Sequence, residues 1–74
     1  MSNYVARRTQ AVSRFARDHG INELAADQLV TEWEYEANRR GLNQLDGSFW
    51  TTAHEWMAGE LATRRGPAKP EPDA

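Results

Sequence analysis

His54 and Glu55 are the residues from which a zinc hydrolase would begin in this 74-residue sequence. A histidine–glutamate pair becomes a metal motif when a second histidine follows four residues after the first, so that two imidazoles share one helix face. Here Trp56, Met57 and Ala58 follow, and the second ligand is missing. His19 is the only other histidine, and it reads as a side chain closing the end of a helix, where a donor suits the terminal carbonyls. Glu32, Glu34 and Glu36 are carboxylates close in sequence, but on a small bundle with no cleft signal they read as a solvated acidic face. Ser2, Ser13 and Ser48 have no histidine or acid placed by a nucleophile motif. There is no cysteine, which removes disulfides and thiolate metal sites and makes a reducing interior the default. We therefore expect no enzyme, no cofactor and no metal.

Binding is the remaining class, and the charge layout bears on it. The net charge is −2, whereas an electrostatic binder of nucleic acid usually carries a basic excess. The distribution is more informative than the sum. Residues 1–20 hold Arg7, Arg8, Arg14 and Arg17 against Asp18, and residues 21–40 hold Glu23, Asp27, Glu32, Glu34 and Glu36 against Arg39 and Arg40. The first segment is net +3 and the second −3. Charges so divided complement each other between neighbouring helices and solvate the surface.

The elements that must position these groups are helical. Tyr4, Val5, Val12, Phe15 and Ala16 fall on one side of a helix over about Asn3 to His19, with Arg7, Gln10, Arg14 and Arg17 as an exposed stripe on the other. Arg8 points into the apolar arc and must reach water or find a carboxylate. Gly20, followed by Ile21, closes this helix. Asn22 is an N-cap, and Ala26, Leu29, Val30, Trp33 and Ala37 form the buried stripe of a second helix that ends at Arg40 before Gly41 and Leu42. Glu36 and Arg40 are spaced as a favourable exposed pair. Asn43 to Gly47 is a polar connector in which Leu45 is expected to plug the end of the bundle.

Asp46 or Ser48 caps a third helix over about Ser48 to Arg65. Its apolar arc is wide, with Trp50, Met57 and Leu61 on one side and Phe49, Ala53 and Trp56 on the other, so it can pack against two neighbours. Gly59 costs about 1 kcal/mol relative to alanine or marks a close helix–helix approach. The expected fold is all-α: a small antiparallel three-helix bundle over residues 1–66, with residues 67–74 a disordered proline- and charge-rich tail. The amino terminus lacks the apolar run of a secretory signal and no stretch is apolar enough to span a bilayer, so a soluble, cytoplasmic protein with no membrane partner is expected.

From Val12 to Thr31, Ala16, Gly20, Ile21, Ala26 and Leu29 resemble the helix-turn-helix pattern in its small residue, its turn glycine and its following apolar positions. That resemblance implies a DNA-binding protein whose second helix presents Asn22, Glu23, Asp27, Gln28 and Thr31 to the major groove, while the basic stripe of Arg7, Arg14 and Arg17 could instead contact phosphate without sequence preference. Arg64 and Arg65 would join that stripe if the bundle closes antiparallel. His19 departs from the pattern, and Glu23 and Asp27 bring negative charge toward phosphate. The favoured expectation is a non-enzymatic adaptor, accessory or regulatory module that binds a protein partner, or itself as a homodimer. Leu24, Gln28, Thr31, Tyr35 and Asn38 form a stripe nearly opposite the buried one on the second helix, and Trp56 flanks the third; these are the candidate interface residues.

Overall fold

Two left-handed glycines decide where the chain turns. In the computed structural model, which describes residues 3–65, Gly20 has φ 65° and Gly41 has φ 76°, a region that other residues enter at a steric cost. A Cβ at either position would meet nothing within 4 Å, so backbone conformation rather than space calls for glycine. Each turn is locked in the same way. The amide of Ile21 donates to the carbonyl of Ala16 at 3.0 Å, and that of Leu42 to Ala37 at 2.9 Å. These six-to-one bonds satisfy carbonyls that the last turn of a helix otherwise leaves open.

Three helices result: α1 (Asn3–His19), α2 (Glu23–Arg40) and α3 (Phe49–Arg65). Asn22 starts α2, its Oδ1 accepting from the Ala25 amide at 2.7 Å. The start of α3 uses both expected residues. The Ser48 carbonyl accepts the first helical bond from Thr52 at 2.8 Å, while Asp46 Oδ1 accepts from the Ser48 amide and hydroxyl, each at 3.0 Å. Those two bonds hold the Asp46 carboxyl below its ordinary value, the backbone bond contributing most.

The core is built from one stripe per helix: Val12, Phe15 and Ala16; Ala26, Leu29, Val30, Trp33 and Ala37; Phe49, Ala53 and Met57. Every residue of the expected α2 stripe is buried. Trp33 is its centre, fully buried, with Phe49 at 5.4 Å and Trp56 at 5.9 Å between ring centroids and the Arg40 guanidinium 5.8 Å from its ring. Burial of each large side chain in this set contributes about 1.5–3 kcal/mol.

Two expectations are corrected, for Val5 and Leu45, and one alternative, for Gly59, is decided. Val5 shares the apolar side of α1 but is 65% exposed. It lies in the first turn, where Phe49 and Trp50 of α3 cover Tyr4 instead. Leu45 does not plug the bundle; it is 86% exposed. The connector bonds locally, the Leu45 amide donating to Asn43 Oδ1 at 2.8 Å and the Asp46 amide to the Asn43 carbonyl at 2.9 Å, and this turn carries Leu45 outward. Gly59 marks no close approach, since a Cβ there would meet nothing within 4 Å. The residues assigned to a tail, 67–74, lie outside the described residues.

Candidate interaction surfaces

The stripe on the outer side of α2 is exposed along its length. Leu24 is 69% and Tyr35 75% exposed, and Gln28, Thr31 and Asn38 lie open beside them. The physical reason is periodicity: at 100° per residue these positions sit opposite Trp33, which the core claims. Thr31 is partly committed, its hydroxyl donating to the Asp27 carbonyl at 3.1 Å and accepting from Arg8 Nη2 at 3.0 Å. Trp56 does not join this stripe. It is half-buried against Trp33, on the face of α2 opposite Tyr35.

Between α1 and α2 the opposite charges close into a clasp. Arg8 donates from Nη1 to Asp27 at 2.6 Å and from Nε to Glu34 at 2.9 Å, and the Tyr4 hydroxyl donates to the same Glu34 oxygen. Arg8 thereby resolves its misplacement in the apolar arc. Its pKa is raised, chiefly by the hydrogen bond to Asp27. Burial, and then the Glu34 carboxylate, push the Tyr4 phenol well above its ordinary value.

The remaining acids of α2 are also engaged. Glu36 binds Arg39 and Arg40, each at 2.7 Å, and these hydrogen bonds hold its carboxyl below the usual range. Glu32 binds Arg64, which also has Glu60 at 3.7 Å, so Arg64 serves α2 and does not extend the basic stripe of α1. Glu32, Glu34 and Glu36 thus face different cations and form no shared carboxylate site. The Ser13 hydroxyl donates to Glu23 at 3.1 Å. Among the described residues no group of three or more His, Cys, Asp or Glu is placed to hold a metal. His19 and His54 come within 5.5 Å of each other between centroids, both against Phe15, where they extend the aromatic packing.

The residues named for the helix-turn-helix reading are dispersed in role. Asn22 spends its side-chain oxygen on its own helix, and Asp27 and Thr31 are held by Arg8, while Gln28 is open. Arg7, Arg14 and Arg17 are exposed on α1 and make no ion pair among the described residues.

One surface was not anticipated. A groove of about 640 Å³ runs between α1 and α3, lined by Arg7, Gln10, Ala11, Arg14 and Asp18 from α1 and by Trp50, Thr51, His54, Glu55 and Met57 from α3. No residue of α2 contributes to it. The indole of Trp50 stacks on Tyr4 at 5.6 Å, and its Nε1 is buried without a hydrogen-bond partner among the described residues. The sequence signal for this groove was the breadth of the α3 arc, which exceeds what one neighbour covers. No described helix is long and apolar enough to cross a membrane. No family model matches the chain, and neither a curated protein nor a solved structure does.

Proposed function

We propose that this chain is a non-enzymatic protein-interaction module, an adaptor, accessory or regulatory protein, that binds a protein partner or a second copy of itself through the outer face of α2. The observation that carries the reading is the exposure of Leu24 and Tyr35, 69% and 75%, on one helix face with uncharged Gln28 and Thr31 between them. Large side chains with neutral polar neighbours are the usual make-up of an interface core, and tyrosine is among the residues that most often dominate binding energy. Trp56 stands at the margin of this proposal because it packs on Trp33. A chain without cysteine suits the reducing cytoplasm, where we place this module.

The test is association of the full chain. Sedimentation velocity across a concentration series, and pull-down of a defined partner fused to a tag, should each lose signal in Leu24→Ser/Tyr35→Ser while far-UV circular dichroism stays unchanged. A monomer at every concentration, with partner capture identical in wild type and double variant, sinks the reading.

A second reading, helix-turn-helix DNA binding through residues 12–31, is favoured by Arg7, Arg14 and Arg17, which make no ion pair among the described residues. It requires a gel shift with mixed-sequence duplex at low salt that weakens steeply as salt rises. Arg14→Ala and Gln28→Ala should each reduce that shift.

A further inference from the structure

We infer that the groove between α1 and α3 is a second, separate docking site, and that its occupant is an amphipathic helix carrying carboxylates along one flank of its apolar stripe. The pairing of the arginines supplies the charge argument. Arg8, Arg39, Arg40 and Arg64 are all held by acids of this chain. Arg7, Arg14 and Arg17 make no ion pair among the described residues, and Arg7 and Arg14 stand on the α1 wall of the groove. They are seven residues apart, two helical turns or about 10.5 Å, which is the spacing of carboxylates at i and i+7 on a facing helix.

Ala11, Trp50 and Met57 add apolar lining to the same groove, and the volume of about 640 Å³ accommodates the side chains of a helix face. Glu55 on the α3 wall and Asp18 at the end of α1 decide against a polyanion. A phosphate backbone lying in the groove would meet both carboxylates. A helix with acids on one flank and a cation on the other satisfies both walls and is oriented by them. Because the groove draws nothing from α2, it opens on the side of the molecule away from Leu24 and Tyr35. The site therefore stands or falls independently of the α2 face, and a chain that uses both is a bridge between two partners.

The experiment titrates the full chain into a labelled synthetic amphipathic helix of about five turns. Its leucine stripe carries a row of glutamates on one flank and a single lysine on the other in the glutamate peptide, and every one of these charges is inverted in the lysine peptide. Fluorescence anisotropy should show saturable binding of the glutamate peptide, weakened at least tenfold by Arg7→Glu/Arg14→Glu and to a smaller extent by Arg7→Gln/Arg14→Gln. The lysine peptide should prefer the Arg7→Glu/Arg14→Glu protein over wild type by a similar factor. Leu24→Ser/Tyr35→Ser should leave binding within twofold. Equal affinity of wild type for both peptides overturns the inference, as does unchanged affinity in Arg7→Glu/Arg14→Glu. Loss of the peptide in Leu24→Ser/Tyr35→Ser also overturns it, since the peptide would then sit on α2. Displacement of the peptide from wild type by mixed-sequence duplex DNA at low salt would reassign the arginines to nucleic acid.

Discussion

Helix α1 meets its two neighbours in different ways. Toward α2 it commits both its charge and its apolar stripe: Arg8 and Tyr4 reach Glu34, Arg8 also reaches Asp27, and Ser13 reaches Glu23. Partner numbers fall along α2 as they rise along α1, so the two helices are joined over much of their length. Toward α3 the contacts are aromatic and gather at two places, Tyr4 with Phe49 and Trp50, and Phe15 and His19 with His54. About 16 Å of α1 axis separates Tyr4 from Phe15, against about 6 Å between Trp50 and His54. Between those two places Arg7, Gln10, Ala11 and Arg14 line the groove. One helix thus has a closed side that holds the fold and an open side that walls the groove.

The difference can be broken at the residue both sides share. Phe15 is fully buried and touches His19 and His54 while belonging to the core with α2. Phe15→Ala should cost about 3–5 kcal/mol, a large part of the stability of so small a domain. Urea unfolding followed by circular dichroism measures it, and a loss under about 1 kcal/mol would contradict the packing described.

Next in size is a contrast between two arginines. Arg8→Ala leaves Glu34 and Asp27 without their cation and should cost about 1–2 kcal/mol. That lies below the ~3–5 kcal/mol of a fully buried pair, because the side chains keep 25–46% exposure. Arg14→Ala, on the open side, should move stability by less than about 0.5 kcal/mol. Equal effects in the same urea series would erase the distinction between the two sides.

A smaller and opposite effect is expected at Gly59, which is exposed in the interior of α3 with open space around it. Gly59→Ala should stabilise by about 0.5–1 kcal/mol through helix propensity. Calorimetry should record a higher melting temperature, and a lower one would mean that α3 needs the glycine for its path.

The weakest effect sharpens the comparison through pH. Glu36 and Asp46 have lowered pKa values, Glu36 through Arg39 and Arg40, Asp46 through Ser48. Groups lowered on folding contribute stability that is fully present above the ordinary carboxylate pKa of about 4 and is lost as pH falls through the folded value. Glu36→Gln and Asp46→Asn should therefore destabilise slightly at neutral pH and converge with wild type in acid. A constant difference across the titration would show that shape, not charge, matters there.

Much of the fold was legible because its signals are local. The α2 stripe from Ala26 to Ala37, the cap at Asn22 and the glycine stops are each set by residues within a turn or two of one another. The exposed face of Leu24 and Tyr35 was legible for the same reason, being the complement of that stripe. Val5 and Leu45 were misread because periodicity and polarity state which side a residue faces, not whether anything lies opposite. Val5 is in register with the core but stands at its end. Trp56, a candidate at the edge of the α3 arc, is half-buried and packs on Trp33, a contact between helices that no local pattern states.

What the sequence alone determined is the set of helices, their ends and the inward face of each, since propensity, capping and a 3.6-residue period act over a few neighbouring residues. It also required that Arg8 find an acid. Tertiary structure decided which acids those are, at sequence separations of 19 and 26 residues, and that Arg7, Arg14 and Arg17 find none among the described residues. It also decided that α1 and α3 leave between them a groove with two arginines on its wall. The angle at which two helices cross depends on how all their side chains pack at once, and no short stretch of sequence carries that information.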